Sequence, residues 1–483
     1  MWPAGRRGGG RRSVGACVVS MSEAGGSVRG RNPVRLDQDR EALRARLRGS
    51  PYEGVKFPPP REFSSQDAHQ AMDTVLRLGR YLYLSGASTR RVEAALVAAT
   101  AAWGMGGVSF DLSTHSIQCQ YAPTTARALH RVQVLSGNPA QQLAGLIALE
   151  RLAEGVVRGR VGVTEAARRL DVLAAGSAAW PWWVTVLGAA LLASMLCLLA
   201  GGSVAAALLS PVLAVAVQGA GRILGRGGAP PFFVTACQTV MVTVGAALLP
   251  HWGVLSGAGT VSLAAANLIL LLPIFQVISS TEDSVLGYSA IAAGRLSTML
   301  VLLGAIVGGA ALAAPLISQL DTDLRNTAFR ALPFALTLVT SSVGAIGNAV
   351  FMGGPPRLIP WAVATALCGA CANVLLLREA GMPTALAALC ATALMGVLAA
   401  AIAPPLRLSA RALVLPGLAG AVLPGPDAYR SLLHLGLGLS DAPRYAATVL
   451  VIVLCIGLGT TLGALLGDIG YRWTTALTRL HLR

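Results

Sequence analysis

Two adjacent carboxylates, Glu282 and Asp283, are the residues of this chain whose setting most suggests chemistry. They follow an apolar run that is long enough to enter a bilayer and that Pro273 interrupts. Proline removes a helix hydrogen bond, and the freed carbonyl is tolerated at membrane depth only inside protein or beside a wet cavity. Acids in such places carry protons or contact solutes in transporters. The stretch therefore predicts a site that handles protons or a small solute.

Several polar side chains lie close to these acids in the sequence or in a neighbouring apolar run, and we take them as candidate solute contacts: Gln238, Asn267, Gln276, Thr281 and Arg295. Two other interpretations stay open. Amides in lipid commonly tie helices together, which applies equally to Asn348 and Asn373. The two carboxylates could also be ordinary charges of a wet loop.

A second interrupted apolar run lies near the C-terminus, over residues 410–433. It contains Pro416-Gly417 and Pro424-Gly425, and the acid Asp427 follows. Interrupted segments at matching places in two halves are the best sequence pointer to the binding site of a secondary transporter. The alternative is a pair of proline kinks without function.

The composition is that of a membrane protein, since hydrophobic residues make up 54% of the chain, charged residues 12%, and the mean hydropathy is +0.62. The net charge of +16 does not predict a nucleic-acid partner. Lys56 is the only lysine, and the abundance of arginine is typical of GC-rich coding. A basic surface also suits the anionic cytoplasmic leaflet, so membrane lipid is the expected partner.

Neither a cofactor nor a metal is expected. Of the eight cysteines, Cys368 and Cys371 form a C-x-x-C, but it lies in an apolar segment with no second pair or histidine nearby. No signal peptide is expected either, because residues 1–20 lack an apolar core, and Met21 could be the true start.

The charge distribution predicts these domains: a disordered tail or linker (1–64), a soluble α+β domain (65–178), two membrane repeats (180–317 and 330–470) and a C-terminal tail (471–483). In the soluble domain we expect helices over 66–85, 88–103, 141–158 and 164–175, and a strand over 108–121 paired with 128–135. Asp111, Ser113 and His115 would share one face of that strand. A polar sheet face is favoured, because a hydrolase triad converges from different elements, but a membrane-anchored hydrolase stays an alternative.

Ten apolar segments predict a polytopic α-helical fold: 182–200, 203–221, 231–250, 257–278, 296–314, 331–351, 358–377, 382–403, 409–424 and 444–467. Five segments per half would insert the second half from the opposite side and make an inverted repeat. Gly304-x-x-x-Gly308 and Gly459-x-x-x-Gly463-x-x-x-Gly467, in the last segment of each half, favour close helix packing. Arginine in the short loops favours a plasma-membrane protein with both termini cytoplasmic.

Three stretches resemble the threonine/serine exporter family. They are residues 72–105 with the VSFDLSTHSIQCQ segment that follows, LPIFQVISSTEDSVLGYSAIAAGR (272–295) and VLPGLAGAVLPGPDAYRSL (414–432). The resemblance implies a non-enzymatic carrier that exports small hydroxy-amino acids on the proton gradient. By the position of the family's acid, it implies Asp283 as the proton carrier, with Glu282 as its modulator. An uncoupled small-solute channel is the other alternative, and a homo-oligomer is compatible with the sequence.

Overall fold

The computed structural model of the chain describes residues 41–122, 127–135, 142–176, 179–318, 331–406, 408–420, 422–423, 425–436 and 440–481. Pro424 and the first forty residues of the expected tail lie outside this part of the chain. So does nearly all of the hydrophilic connection between the two predicted repeats, over 319–330.

Between residues 65 and 175, the N-terminal domain combines four helices with a three-stranded antiparallel sheet of order β1-β2-β3. Its elements are α1 (Ser65–Leu84), α2 (Thr89–Trp103), β1 (Val108–Leu112), β2 (Ser116–Tyr121), β3 (Leu129–Val134), α3 (Leu143–Val157) and α4 (Val163–Ala175). The helix ends follow local rules. The Ser64 hydroxyl accepts from the Asp67 N–H and caps α1, and Gly104 ends α2 at a φ of 83°. The small α+β domain predicted from the sequence is present.

The single strand predicted over 108–121 is wrong, because the structure folds this stretch into the β1–β2 hairpin. Ser113 closes the turn: its N–H donates to the Ser116 carbonyl at 2.9 Å, and its hydroxyl lies 2.9 Å from the Ser116 hydroxyl. His115 is exposed at the tip of the turn. The alternation of side chains continues through the turn, so the pattern alone gave no sign of it.

Residues 41–64, predicted as part of a disordered tail or linker, contribute to the core of this domain. Residues 41–47 are helical, and Leu47 and Tyr52 are buried together with Met72, Leu96 and Ile117. Arg61 also joins this segment to the domain, because its backbone N–H donates to the Gly104 carbonyl at 2.8 Å.

Twelve further helices follow among the described residues. In the first half they are α5 (Trp182–Leu199), α6 (Val204–Arg226), α7 (Pro231–His251), α8 (Gly257–Ile269), α9 (Ile274–Val285) and α10 (Ser289–Ser318). In the second half they are α11 (Phe334–Phe351), α12 (Ile359–Arg378), α13 (Thr384–Leu406), α14 (Ala410–Gly417), α15 (Gly425–Gly436) and α16 (Ala442–His481). Large apolar side chains such as Leu208 and Leu312 are about 70% exposed, as expected of a lipid-facing surface.

Eight of these helices are long and apolar enough to cross a membrane, and a ninth span results if the bent pair α8–α9 counts as one. The expected number of ten is therefore not confirmed in the part of the chain that the structure describes. The difference lies in the segment predicted over 409–424. It folds as the eight-residue α14, which is too short to span, followed by the twelve-residue α15.

The two halves share an order of elements and a set of neighbours. In each half, three long helices precede a broken fourth element and a long fifth helix. The third helix packs against the fifth in both halves, as α7 against α10 and α13 against α16. The first helices, α5 and α11, pack against each other across the halves. The pattern of contacts is thus repeated.

Glycines set the closeness of these helix pairs. A Cβ built on Gly463 would lie 2.1 Å from the Ala393 carbonyl oxygen, so α16 approaches α13 more closely than any larger residue allows. Gly304 and Gly308 behave differently, because a Cβ on either meets no described atom within 4 Å. Gly309 makes the close approach in α10, where its Cβ would lie 2.5 Å from the Ala236 carbonyl oxygen.

The N-terminal domain is held by both halves of the membrane domain. Against the first half, Gly86 has a φ of 94° and leaves room for Phe275, whose ring would lie 2.7 Å from an added Cβ. Tyr288 also donates a 2.5 Å hydrogen bond to Glu93 of α2. Against the second half, the N–H of Leu143, which begins α3, donates to the Met352 carbonyl at 3.0 Å.

Candidate functional site

The first helix break positions the predicted acids. α8 ends at Ile269, tightens through i→i−3 backbone bonds and passes Pro273 before α9 starts at Ile274 with a bend of 50°. Pro273 is buried, so the interrupted backbone lies within protein and not against lipid. α9 then carries Glu282 and Asp283 in its last turn.

Asp283 is a fully buried helical residue and not a loop charge. Its Oδ2 lies 3.2 Å from Nε of Arg295, which is on the next helix, α10. Neither carboxylate oxygen has a hydrogen-bond partner of good geometry among the described residues. The Arg295 guanidinium also lies over the ring of Tyr83 of the N-terminal domain, 4.9 Å from its centroid. Asp283 is therefore a buried charge with incomplete pairing.

Glu282 has a partner that the sequence did not indicate. Arg411, at the start of α14 in the second half, forms an ion pair with Glu282 and donates to the Ser279 hydroxyl. Its guanidinium lies 4.8 Å from the centroid of the Phe275 ring. The broken elements of the two halves are thus joined by charge. Glu282 and Arg411 are 129 residues apart in the sequence, so no local pattern predicts that they meet.

A cavity of about 800 Å³ opens beside this pair, between the N-terminal domain and the second half. Its wall includes Glu282 and Arg411, the α2 residue Arg91, the α3 residue Glu150 and hydroxyl groups of α16. Arg91 Nε lies 2.8 Å from Glu150 Oε1. Burial raises the pKa of the Glu150 carboxyl above its usual range, although Arg91 opposes the shift. The wall does not include Asp283.

At the second break α14 contributes Arg411 to the pair with Glu282, and neutral groups hold the interrupted backbone among the described residues. Pro416 and Gly417 are buried in α14, where the Asn348 amide donates to the Pro416 carbonyl at 3.1 Å. The Thr365 hydroxyl donates to the Leu413 carbonyl at 3.0 Å, and a Cβ on Gly417 would lie 2.4 Å from that hydroxyl oxygen.

Two other residues proposed for this region lie on α15. Gly425 is its first residue, and Asp427 is a partly exposed acid with Arg430 at 3.8 Å. Pro424, also proposed for the site, is outside the described residues.

The remaining candidates serve the packing of helices in this conformation. Asn267 donates to Ser210 on α6 at 3.0 Å, and Gln238 donates to the Val217 carbonyl at 3.1 Å. Thr281 donates to the Val277 carbonyl and packs against Gly457 of α16. Gln276 is half-buried in α9. Their role toward a solute stays a prediction.

Nothing in the described residues assembles the hydrolase alternative. Asp111 lies on β1, whereas Ser113 and His115 lie in the turn, and the Ser113 hydroxyl is engaged with Ser116. Within the same residues, no group of three or more histidine, cysteine or acidic side chains could hold a metal ion. The described cysteines are free thiols.

Comparison with known proteins agrees with the resemblance seen in the sequence. The family model "Putative threonine/serine exporter" matches residues 73–317, about half of the chain. A "Probable threonine/serine exporter" of Mycobacterium tuberculosis is 25% identical over 459 residues, which cover 90% of this chain and 84% of that protein. A "Threonine/serine exporter" of Corynebacterium glutamicum is 24% identical over 409 residues, covering 82% and 81%. No solved structure matches. The chain, a multi-pass helical membrane protein, belongs to the threonine/serine exporter family.

Proposed function

We propose that this protein exports threonine and serine across the plasma membrane, that the proton gradient drives the export, and that Asp283 carries the proton. Two relatives that cover most of the chain carry the name of threonine/serine exporters. We take the substrates from the names of these relatives, and we argue the mechanism from the structure.

The observation that supports proton coupling is the burial of Asp283 with incomplete pairing of its charge. A carboxylate removed from water loses its hydration, and a single ion pair without aligned hydrogen bonds compensates only part of that loss. Protonation removes the uncompensated charge, so the group can exchange a proton when the site opens to one side or the other. Arg295 holds the carboxylate in place. Glu282 modulates it as a neighbouring negative charge that Arg411 partly neutralises.

The two breaks supply the polar backbone. α9 begins after Pro273 and α15 at Gly425, and the N-terminal turn of each helix presents the positive end of the helix dipole. Such ends suit the carboxylate of an amino acid.

Alternating access would come from an inverted repeat. The shared order of elements and the repeated helix neighbours support it. If α8–α9 crosses the membrane as one span, the first half has five crossings, and the second half would enter from the opposite side. The excess of arginine in the loops on the side of the N-terminal domain favours a cytoplasmic location for both termini.

Counterflow into proteoliposomes tests the proposal. The purified full chain should exchange labelled threonine and serine but not alanine, a control that lacks the hydroxyl group, and an imposed pH gradient should drive net uptake. Exchange that is indifferent to pH would remove proton coupling and favour the channel alternative. Exchange of none of the three amino acids would overturn the exporter assignment.

A further inference from the structure

The cavity between the N-terminal domain and the second half contains two ion pairs of different origin. Arg91 and Glu150 both belong to the N-terminal domain. Arg411 and Glu282 join the two halves of the membrane domain. All four side chains are in the wall of the same cavity of about 800 Å³, a volume within the range of small-molecule sites. The N-terminal domain and the broken helices therefore line one cavity that is large enough for a small solute.

The balance of charge in this wall indicates what it would hold. Five arginines and five acids contribute to it, so the lining is formally neutral and carries both signs. A lining of this kind favours neither a simple anion nor a simple cation. It suits a small molecule with one positive and one negative group at its two ends.

Both ion pairs are also incompletely satisfied. Oε2 of Glu150 and Nε of Arg411 are buried and have no hydrogen-bond partner of good geometry among the residues that the structure describes, although the Ser409 hydroxyl lies beside the Glu150 carboxylate. Buried polar atoms without partners cost free energy, so a ligand that supplies an ammonium to one and a carboxylate to the other is favoured. The side chains must turn toward the cavity to offer these atoms. Hydroxyl groups are at hand, since Ser409, Thr460 and Thr461 are in the same wall.

We propose that this cavity binds the amino-acid zwitterion before transport, with the ligand carboxylate at Arg411 and its ammonium at Glu150. The proposal rests on the proposed function for the choice of threonine as ligand. It gives the N-terminal domain a direct part in substrate binding through Glu150, which Arg91 positions. Asp283, outside the cavity wall, keeps its separate role in proton transfer.

Binding of three related ligands to the purified full chain tests this assignment. L-Threonine carries both charged groups, L-threoninamide lacks the carboxylate, and 3-hydroxybutyrate lacks the ammonium. The wild-type protein should bind threonine roughly ten- to hundredfold more tightly than either analogue, because each contact is a charged hydrogen bond.

Two variants separate the contacts. In Glu150→Gln the affinity for threonine should fall roughly ten- to hundredfold, whereas the affinity for 3-hydroxybutyrate should stay the same, because this ligand makes no ammonium contact. In Arg411→Gln the affinity for threonine should fall by the same factor, whereas the affinity for threoninamide should stay the same, because this ligand has no carboxylate. A purely structural role of either residue would weaken all three ligands together.

The matched control is Glu165→Gln on α4, which removes an exposed carboxylate of the same domain that pairs with Arg168 and Arg169. It should leave all three affinities unchanged. If a glutamine variant fails to fold, as judged by thermal unfolding, Glu150→Asp and Arg411→Lys replace it. These keep the charge and should weaken threonine binding while preserving discrimination between the analogues.

The outcomes for the site and for the transport function are distinct. Unchanged threonine affinity and unchanged discrimination in the Glu150 and Arg411 variants would overturn the site, even if proteoliposomes show export. Failure of the wild-type protein to bind threonine would overturn it as well. Threonine binding with the expected pattern of variants, in a protein that shows no flux, would uphold the site and reject the exporter.

Discussion

The two helix breaks occupy the same place in their halves but are built from different chemistry. At the first, Asp283 and Glu282 are held by Arg295 and Arg411, and the N-terminal domain packs directly on this cluster. At the second, neutral side chains satisfy the backbone. Its acid, Asp427, is partly exposed and 3.8 Å from Arg430. A repeated order of helices therefore need not repeat its chemistry, because the two acids Glu282 and Asp283 lie at the first break, whereas the second contributes Arg411 and otherwise packs through neutral groups.

The largest effect should come from removing one acid at each break. Asp283→Asn should abolish flux driven by a pH gradient, because an amide cannot carry the proton, whereas Asp427→Asn should leave the flux within about twofold of wild type, since an exposed pair contributes little. Initial rates in proteoliposomes with matched amounts of protein measure both. Normal gradient-driven flux in Asp283→Asn would exclude this residue from the mechanism.

A control separates coupling from stability in that experiment. Removing one partner of a buried pair leaves Arg295 uncompensated, which typically costs about 3–5 kcal/mol. The double variant Asp283→Asn/Arg295→Gln removes both charges and should recover the thermal midpoint of the wild type without recovering the coupled flux.

The next effect concerns the fifth helix of each half. Gly463→Ala should destabilise the protein by about 3 kcal/mol, because the new methyl group meets the Ala393 carbonyl at 2.1 Å and the core has no room for it. Gly308→Ala has open space and should be neutral or stabilise by up to about 1 kcal/mol through its higher helix propensity. Thermal midpoints in detergent compare the two. Equal destabilisation would show that both glycine faces are packed in the assembled protein.

A smaller effect is expected at the neutral break. Asn348→Leu deletes the donor to the carbonyls at the end of α14 and should cost about 1–3 kcal/mol, the penalty of leaving a buried acceptor unpaired. Ser342→Ala on the same helix is the control, since its hydroxyl donates to the Leu338 carbonyl one turn back within its own helix. The comparison is again one of thermal midpoints. A loss of flux with an unchanged midpoint would mean that Asn348 contacts the solute.

The smallest effect is at the edge of the charged break. Tyr288→Phe removes the hydrogen bond to Glu93 and should cost about 1 kcal/mol. Hydrogen exchange of α2 should rise more than that of α4, because α2 carries Glu93. Equal exchange in both helices would show that this contact does not hold the domain to the membrane helices.

The sequence predicted the parts of this structure that are local. Apolar run lengths placed most membrane helices within a few residues, and Pro273 and Pro416 marked both breaks. The helix predicted over 88–103 is α2, which Gly104 ends. The hairpin turn at Ser113 was missed, because its hydroxyl network has no signature in an alternating pattern.

The pairs that define the site could not be predicted in the same way. Glu282 meets Arg411, and Glu93 meets Tyr288, across long separations in the chain. Such meetings depend on how helices pack in three dimensions. Even the membrane amides looked alike in sequence, and only the structure shows that Asn267 and Gln238 have partners on neighbouring helices.

The contacts of the N-terminal domain with both halves have a mechanical consequence. Tyr288 and Phe275 fasten it to one half, and the backbone of residues 352 and 353 fastens it to the other. In the alternating access proposed above, a rocking motion between the halves must strain or release one of these contacts. The N-terminal domain would then act as a latch between the two halves, and the weaker of its two attachments would set which half moves first.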